Sequence, residues 1–130
     1  MTSTDAPTLL DGGDAGSGTQ RIPLNVYETT EAMVIVAPMP GVQAEDVAVA
    51  VDGKGHLHLT ARLRTAAPKD YLLHEWDYGS YERIYELPEG FRGPLTASLG
   101  NGQLAVRVAR DGDRGPDAPI VVQPAAAGAD

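Results

Sequence analysis

Aliphatic residues recur at every second position through much of this chain, the period that places side chains on one face of a β-strand. The strictest case is His56 to Arg64, where Leu57, Leu59, Ala61 and Leu63 alternate with His56, His58, Thr60, Arg62 and Arg64. Just before it, Asp46 to Asp52 alternates Val47, Val49 and Val51 with two alanines, and Gly53-Lys54-Gly55 lies between the two stretches. This pattern predicts a hairpin with one face in a core and one in water. A second hairpin is predicted over Leu95–Leu99 and Gln103–Ala109. Asn101-Gly102 tolerates the positive φ of a tight turn, and Leu104, Val106 and Val108 follow at a spacing of two.

Ala32 to Ala37 is a continuous apolar run rich in β-branched residues, which predicts a strand covered on both faces. Pro38-Met39-Pro40-Gly41 breaks it, because two prolines and a glycine forbid continued pairing. Leu24 to Glu28 reads as a short strand, with Pro23 at its start or on an edge. Tyr81 to Leu87 reads as another, ended by Pro88-Glu89-Gly90. Between Thr65 and Ser80 the alternation loosens, apart from an apolar knot at Tyr71-Leu72-Leu73 and Trp76. No stretch carries a sustained apolar stripe at helical spacing. The reading is all-β: an antiparallel immunoglobulin-like β-sandwich of about seven to eight strands, with flexible N- and C-terminal extensions.

Composition fixes the boundaries. The first twenty residues hold four Gly and several Ser, Thr and Asp, with Met1, Leu9 and Leu10 as their only large aliphatics. Such a segment buries too little apolar surface to offset its ordering entropy, so residues 1–20 are expected to be a disordered arm. The sandwich then spans 21–109. A flexible extension over 110–130 contains a polar linker, Arg110–Pro119, and a brief apolar island, Ile120-Val121-Val122. At 130 residues with 42% hydrophobic content, one domain with a real core is affordable.

A net charge of −8 without any run of Lys or Arg argues against nucleic acid or an anionic membrane as partner. Cysteine is absent, no signal-peptide plan is visible and no apolar run reaches transmembrane length. A cytoplasmic protein is expected. Candidate chemistry is thin. His56 and His58 share a strand face and His74 comes later, but a polar sandwich face accounts for them better than a metal site. Ser80 has no evident base nearby in sequence, and Gly53-Lys54-Gly55 suits a hairpin turn, since no helix follows to receive a phosphate. No enzyme, metal or cofactor is expected.

Five landmarks resemble, in order, the α-crystallin domain of the small heat-shock proteins, bacterial type. Asn25-Val26-Tyr27-Glu28 is similar to its opening strand, and Met39-Pro40-Gly41-Val42 with Glu45-Asp46-Val47 to its proline-glycine turn and acidic entry. Glu75, Tyr78-Gly79-Ser80-Tyr81, Arg83 and Glu86-Leu87-Pro88-Glu89-Gly90 resemble the stretch around its characteristic arginine. Ala97, Asn101, Gly102 and Leu104 match the signature that closes the domain, and Ile120-x-Val122 resembles the C-terminal anchor.

The resemblance implies an ATP-independent chaperone, a holdase that binds unfolded or misfolded client proteins and suppresses their aggregation. The alternative is a non-catalytic interaction module, a co-chaperone or scaffold for one folded partner. Three sets of residues take roles by resemblance. Ile120 and Val122 form an oligomer anchor, two side chains pointing the same way in an extended segment and filling a groove of a neighbouring subunit. Tyr71, Leu72, Leu73, His74 and Glu75 form a strand exchanged across a homodimer interface, unless the loop folds back on its own domain. Arg83, on the same side of its strand as Tyr81 and Tyr85, is the dimer-stabilising arginine; buried and paired, its loss would cost about 3–5 kcal/mol. One departure matters. The family's N-terminal arm is longer and more hydrophobic than the short polar one here, so a homodimer or small higher oligomer is expected.

Overall fold

The 56–61 run and its partner form the expected hairpin, and the other alternating stretches build two sheets around it. The computed structural model describes residues 19–63, 70–76, 80–115 and 119–125. Within these, the strands are β1 (Gln20–Arg21), β2 (Asn25–Glu28), β3 (Ala32–Pro38), β4 (Val47–Val51), β5 (His56–Ala61), β6 (Tyr81–Glu86), β7 (Leu95–Gly100), β8 (Gln103–Ala109) and β9 (Val122–Pro124), with one 3₁₀ turn at Ala44–Asp46. One sheet has the order β9-β7-β8-β3-β2 and the other β1-β6-β5-β4.

Seven of these strands are the expected ones, and their pairings with one another are all antiparallel. The purely antiparallel expectation needs one correction. β9 runs parallel to β7 and β1 parallel to β6, so each sheet is mixed. Both are short flanking segments that reach an edge strand without a hairpin, and antiparallel neighbours are what hairpins dictate. Gln20, inside the stretch assigned to the disordered arm, is part of β1, and its amide donates to the Ser80 carbonyl. The remaining arm residues, 1–18, and the tail residues 126–130 lie outside the described residues.

The inner faces meet in one core. Met33, Ile35 and Ala37 of β3 and Leu104, Val106 and Val108 of β8 pack with Val49, Val51, Leu57 and Leu59 of the opposite sheet. β3 departs from its expected double coverage: its other face, Val34 and Val36, is half-buried. Val34 lies opposite Tyr27 and Arg107, long side chains on neighbouring strands that share this outer face.

Two turns lock the ends. Asn101 (φ 54°) and Gly102 (φ 74°) take the positive φ that the hairpin needs. The Gly102 carbonyl accepts from the Met39 amide at 2.8 Å, while the Tyr81 hydroxyl donates to the Pro40 carbonyl at 2.7 Å. The proline-rich break is therefore held by both sheets.

Candidate functional site: the inter-sheet groove and the outer edge of β2

β4 ends its sheet, and β7 would end the other were β9 absent. Between them lies a groove that receives the C-terminal segment. The Ile120 amide donates to the Val49 carbonyl at 2.9 Å, an antiparallel bridge to β4. Two residues on, Val122 pairs with Ala97 of β7 and is only 7% exposed. Val121 between them points to solvent at 75% exposure. This is the alternation expected of the anchor, with Ile120 and Val122 inward and Val121 out. A fully buried Val or Ile contributes about 1.5–3 kcal/mol, so the pair holds the tail with modest strength. The structure of the single chain seats the pair on its own domain; the neighbouring subunit of the sequence reading is a matter of assembly, taken up below.

The signature residues form the groove's far wall and floor. Ala97 is buried beside Val122 on the neighbouring strand, Asn101 and Gly102 make the turn, and Leu104 is fully buried. The sequence signal misses Gly100. The Ala125 amide donates to the Leu99 carbonyl at 2.8 Å, and a methyl at Gly100 would stand 2.7 Å from the Ala125 Cβ. Only a close approach of two backbones makes that glycine necessary, and no local pattern announces it.

At the opposite end of the five-stranded sheet, all four residues of β2 are exposed, and among the described residues no strand pairs with its outer edge. Arg110 fixes this strand from behind. Its guanidinium donates to Glu28 Oε1 at 3.0 Å and to the Thr29 carbonyl at 3.1 Å, and it lies 4.4 Å from the centre of the Phe91 ring. Tyr71, Leu72, Leu73, His74 and Glu75 are all exposed, Leu72 completely, and form no strand within this chain. The Tyr71 and His74 rings stack at 4.6 Å. Residues 64–69 and 77–79 of the same loop, including Tyr78-Gly79, lie outside the described residues.

Arg83 is half-buried on the inner side of β6 with Tyr81 and Tyr85. Its Nη1 donates to the Ile22 carbonyl at 2.7 Å, tying the segment after β1 to β6. Burial, and secondarily the nearby Arg21, lower its pKa. Among the described residues it has no carboxylate partner, so the buried ion pair weighed from the sequence is not formed among them.

The histidines do not assemble a metal centre: among the described residues no group of three metal-ligating side chains comes together. His56 and His58 instead serve Asp52 beside their turn. Asp52 Oδ1 accepts from the amides of Lys54 and His56, and its Oδ2 lies 2.8 Å from His58 Nε2. The His56 amide, then the His58 ring, hold the Asp52 carboxyl far below its usual pKa. Ser80 Oγ accepts from the Leu63 amide. It borders an open cleft of about 440 Å³ with Thr60, Arg62 and Glu82, and none of the described residues lining that cleft is a histidine. The described site therefore offers backbone edges and apolar slots.

The Hsp20/alpha crystallin family model matches residues 25–123. An 18.9 kDa heat shock protein of Oryza sativa is 35% identical over 98 residues, covering 72% of this chain and 55% of that protein. Spore protein SP21 of Stigmatella aurantiaca is 33% identical over 84 residues, covering 62% and 50%. This chain thus spans about half the length of these curated relatives. Among solved structures, hspA from Xanthomonas axonopodis superposes with a TM-score of 0.64 at 24% identity, over 72% of this chain and 96% of that one. A small heat-shock protein from Xylella fastidiosa gives 0.62 at 25% identity, over 73% and 90%. The two-sheet fold, the signature around Asn101-Gly102 and the matched span of residues 25–123 agree: this chain belongs to the Hsp20/alpha crystallin family of small heat-shock proteins.

Proposed function

We propose that the chain is an ATP-independent holdase that keeps partly unfolded clients soluble. The supporting observation is the groove between β4 and β7, which accepts an extended aliphatic segment by backbone pairing and side-chain burial together. An unfolded protein presents those same two features, unpaired backbone and exposed apolar side chains. The adaptor alternative, one folded partner, calls for a specific surface; a groove that reads alternation and edge pairing suits many sequences.

The working unit in this proposal is a homodimer. The outer edge of β2 receives Tyr71–Glu75 of a second chain, which removes an open edge and covers Leu72 and Leu73 at once. Arg83 supports the dimer by fixing the Ile22 segment against β6. Exchange of the Ile120/Val122 anchor between dimers would build small higher oligomers, because the ten-residue linker 110–119 reaches about 33–36 Å when extended. Placement in the cytoplasm fits the absence of cysteine, and no helix among the described residues is long and apolar enough to cross a membrane.

Light scattering from reduced insulin or heated citrate synthase tests the proposal. Near-stoichiometric protein is expected to keep the client soluble without nucleotide. Unchanged scattering at every dose would rule the holdase out and leave the adaptor.

A further inference from the structure

Two valines of the apolar run in β3 face away from the core. Val34 and Val36 are half-buried on the outer side, while their neighbours Met33, Ile35 and Ala37 fill the interior. Cross-strand register sets what stands beside them. Val34 lies between Tyr27 of β2 and Arg107 of β8, and Val36 between Asn25 and Ala105. Tyr27 is 56% exposed and the Arg107 side chain 48%. An aliphatic floor between a phenol and a guanidinium suits an aromatic ring. Such a ring gains from apolar contact with the valines, from packing against Tyr27, and from its π face against the cation. An aliphatic segment uses only the first of these.

The only tryptophan of the chain is Trp76, 60% exposed, directly after the segment proposed to pair with β2 of a second copy. β2 separates that outer edge from β3, so a strand added there lies about 10 Å, two strand spacings, from the valines. One further residue of backbone, about 3.8 Å, and an indole side chain turned back across β2 close this distance. Residues 70–76 carry Asp70 and Glu75 and no Lys or Arg, which complements Arg107. We propose that Trp76 of one copy docks on the outer face of β3 in the other, over Val34 and between Tyr27 and Arg107. This rests on the dimer reading and adds to it a ring-binding surface that backbone pairing at the edge does not require.

The fluorescence of the sole tryptophan reports the contact. Across a dilution series that ultracentrifugation shows to run from dimer to monomer, emission is expected to move to longer wavelength as the indole enters water. Mixed dimers, formed with the tryptophan-free chain in excess, identify the face. Native chain paired with Val34→Lys, Trp76→Phe chain sets the one tryptophan against an altered β3. Its emission is expected at the monomer wavelength, and this dimer is expected to be about tenfold weaker. Val34→Lys chain paired with Trp76→Phe chain keeps a native face opposite the tryptophan and is expected to emit as the native dimer does. Arg107→Gln in place of Val34→Lys leaves the aliphatic floor intact and is expected to give a smaller shift in the same direction. A dimer whose emission ignores dissociation, or ignores both substitutions across the interface, would overturn the docking and leave the dimer standing. A chain that stays monomeric at every concentration would overturn both.

Discussion

Asp52 organises the β4–β5 turn through two backbone amides and the His58 ring, and those bonds need its carboxylate ionised. Its pKa is depressed in the folded chain. The stabilisation it brings is therefore full above the ordinary carboxylate value of 3.8 and is lost as pH falls below that toward the depressed value. Asp52→Asn is expected to lower the melting temperature at pH 7, with the gap to the native chain closing on acidification toward pH ~2. Parallel melting curves that keep a constant gap would contradict this. Arg83 belongs at the same scale. Its bond to the Ile22 carbonyl is charge-assisted and half-buried, so Arg83→Ala is expected to cost about 1.5–3 kcal/mol, less than loss of a buried ion pair would. Denaturant unfolding measures that, and native mass reports whether the dimer weakens with it. Unchanged values of both would remove Arg83 from the account.

Among the elements, those with strict alternation are the ones the sequence makes legible. β5 alternates because β4 and β6 flank it and one of its faces is in the core; Leu57 and Leu59 are fully buried while Thr60 is exposed. β8 shows the same pattern for the same reason, and Asn101-Gly102 marks its turn by backbone chemistry alone. β1 and β9 are harder to read because two or three residues carry no measurable period, and their parallel pairing follows from where the chain returns in space. The groove is legible only in part: Ile120 and Val122 stand out as aliphatics between prolines, whereas Val49 and Gly100 gain their roles from a partner more than twenty residues away. The Asp52–His58 contact was likewise hidden, since a histidine on a polar face has several possible partners. The 71–75 segment tests the edge argument directly. Leu72→Ser with Leu73→Ser removes two exposed side chains and no core contact, so domain stability should hold within about 0.5 kcal/mol. The dimer should dissociate at higher concentration than the native one. A dimer of unchanged affinity by analytical ultracentrifugation would show that these leucines lie outside the interface.

At the scale of the whole molecule, the sandwich keeps its core closed, and the binding surfaces proposed for it lie at its edges. One edge, that of β2, has no strand partner among the described residues and is the surface proposed for the dimer partner. The other, between β4 and β7, is occupied by the chain's own tail and is the surface proposed for clients. A net charge of −8 makes copies of this chain repel one another, which favours the small oligomers proposed here over large ones. The central claim is that denaturing clients bind in the groove between β4 and β7. A photoreactive amino acid placed at Ser98, on the outer face of β7 beside the groove, tests it most directly when the protein is irradiated with reducing insulin. The account predicts cross-links to insulin chains from this position that diminish when a peptide of residues 117–125 is added in excess. Efficient suppression of aggregation with no cross-link from Ser98, or cross-links indifferent to that peptide, would contradict it.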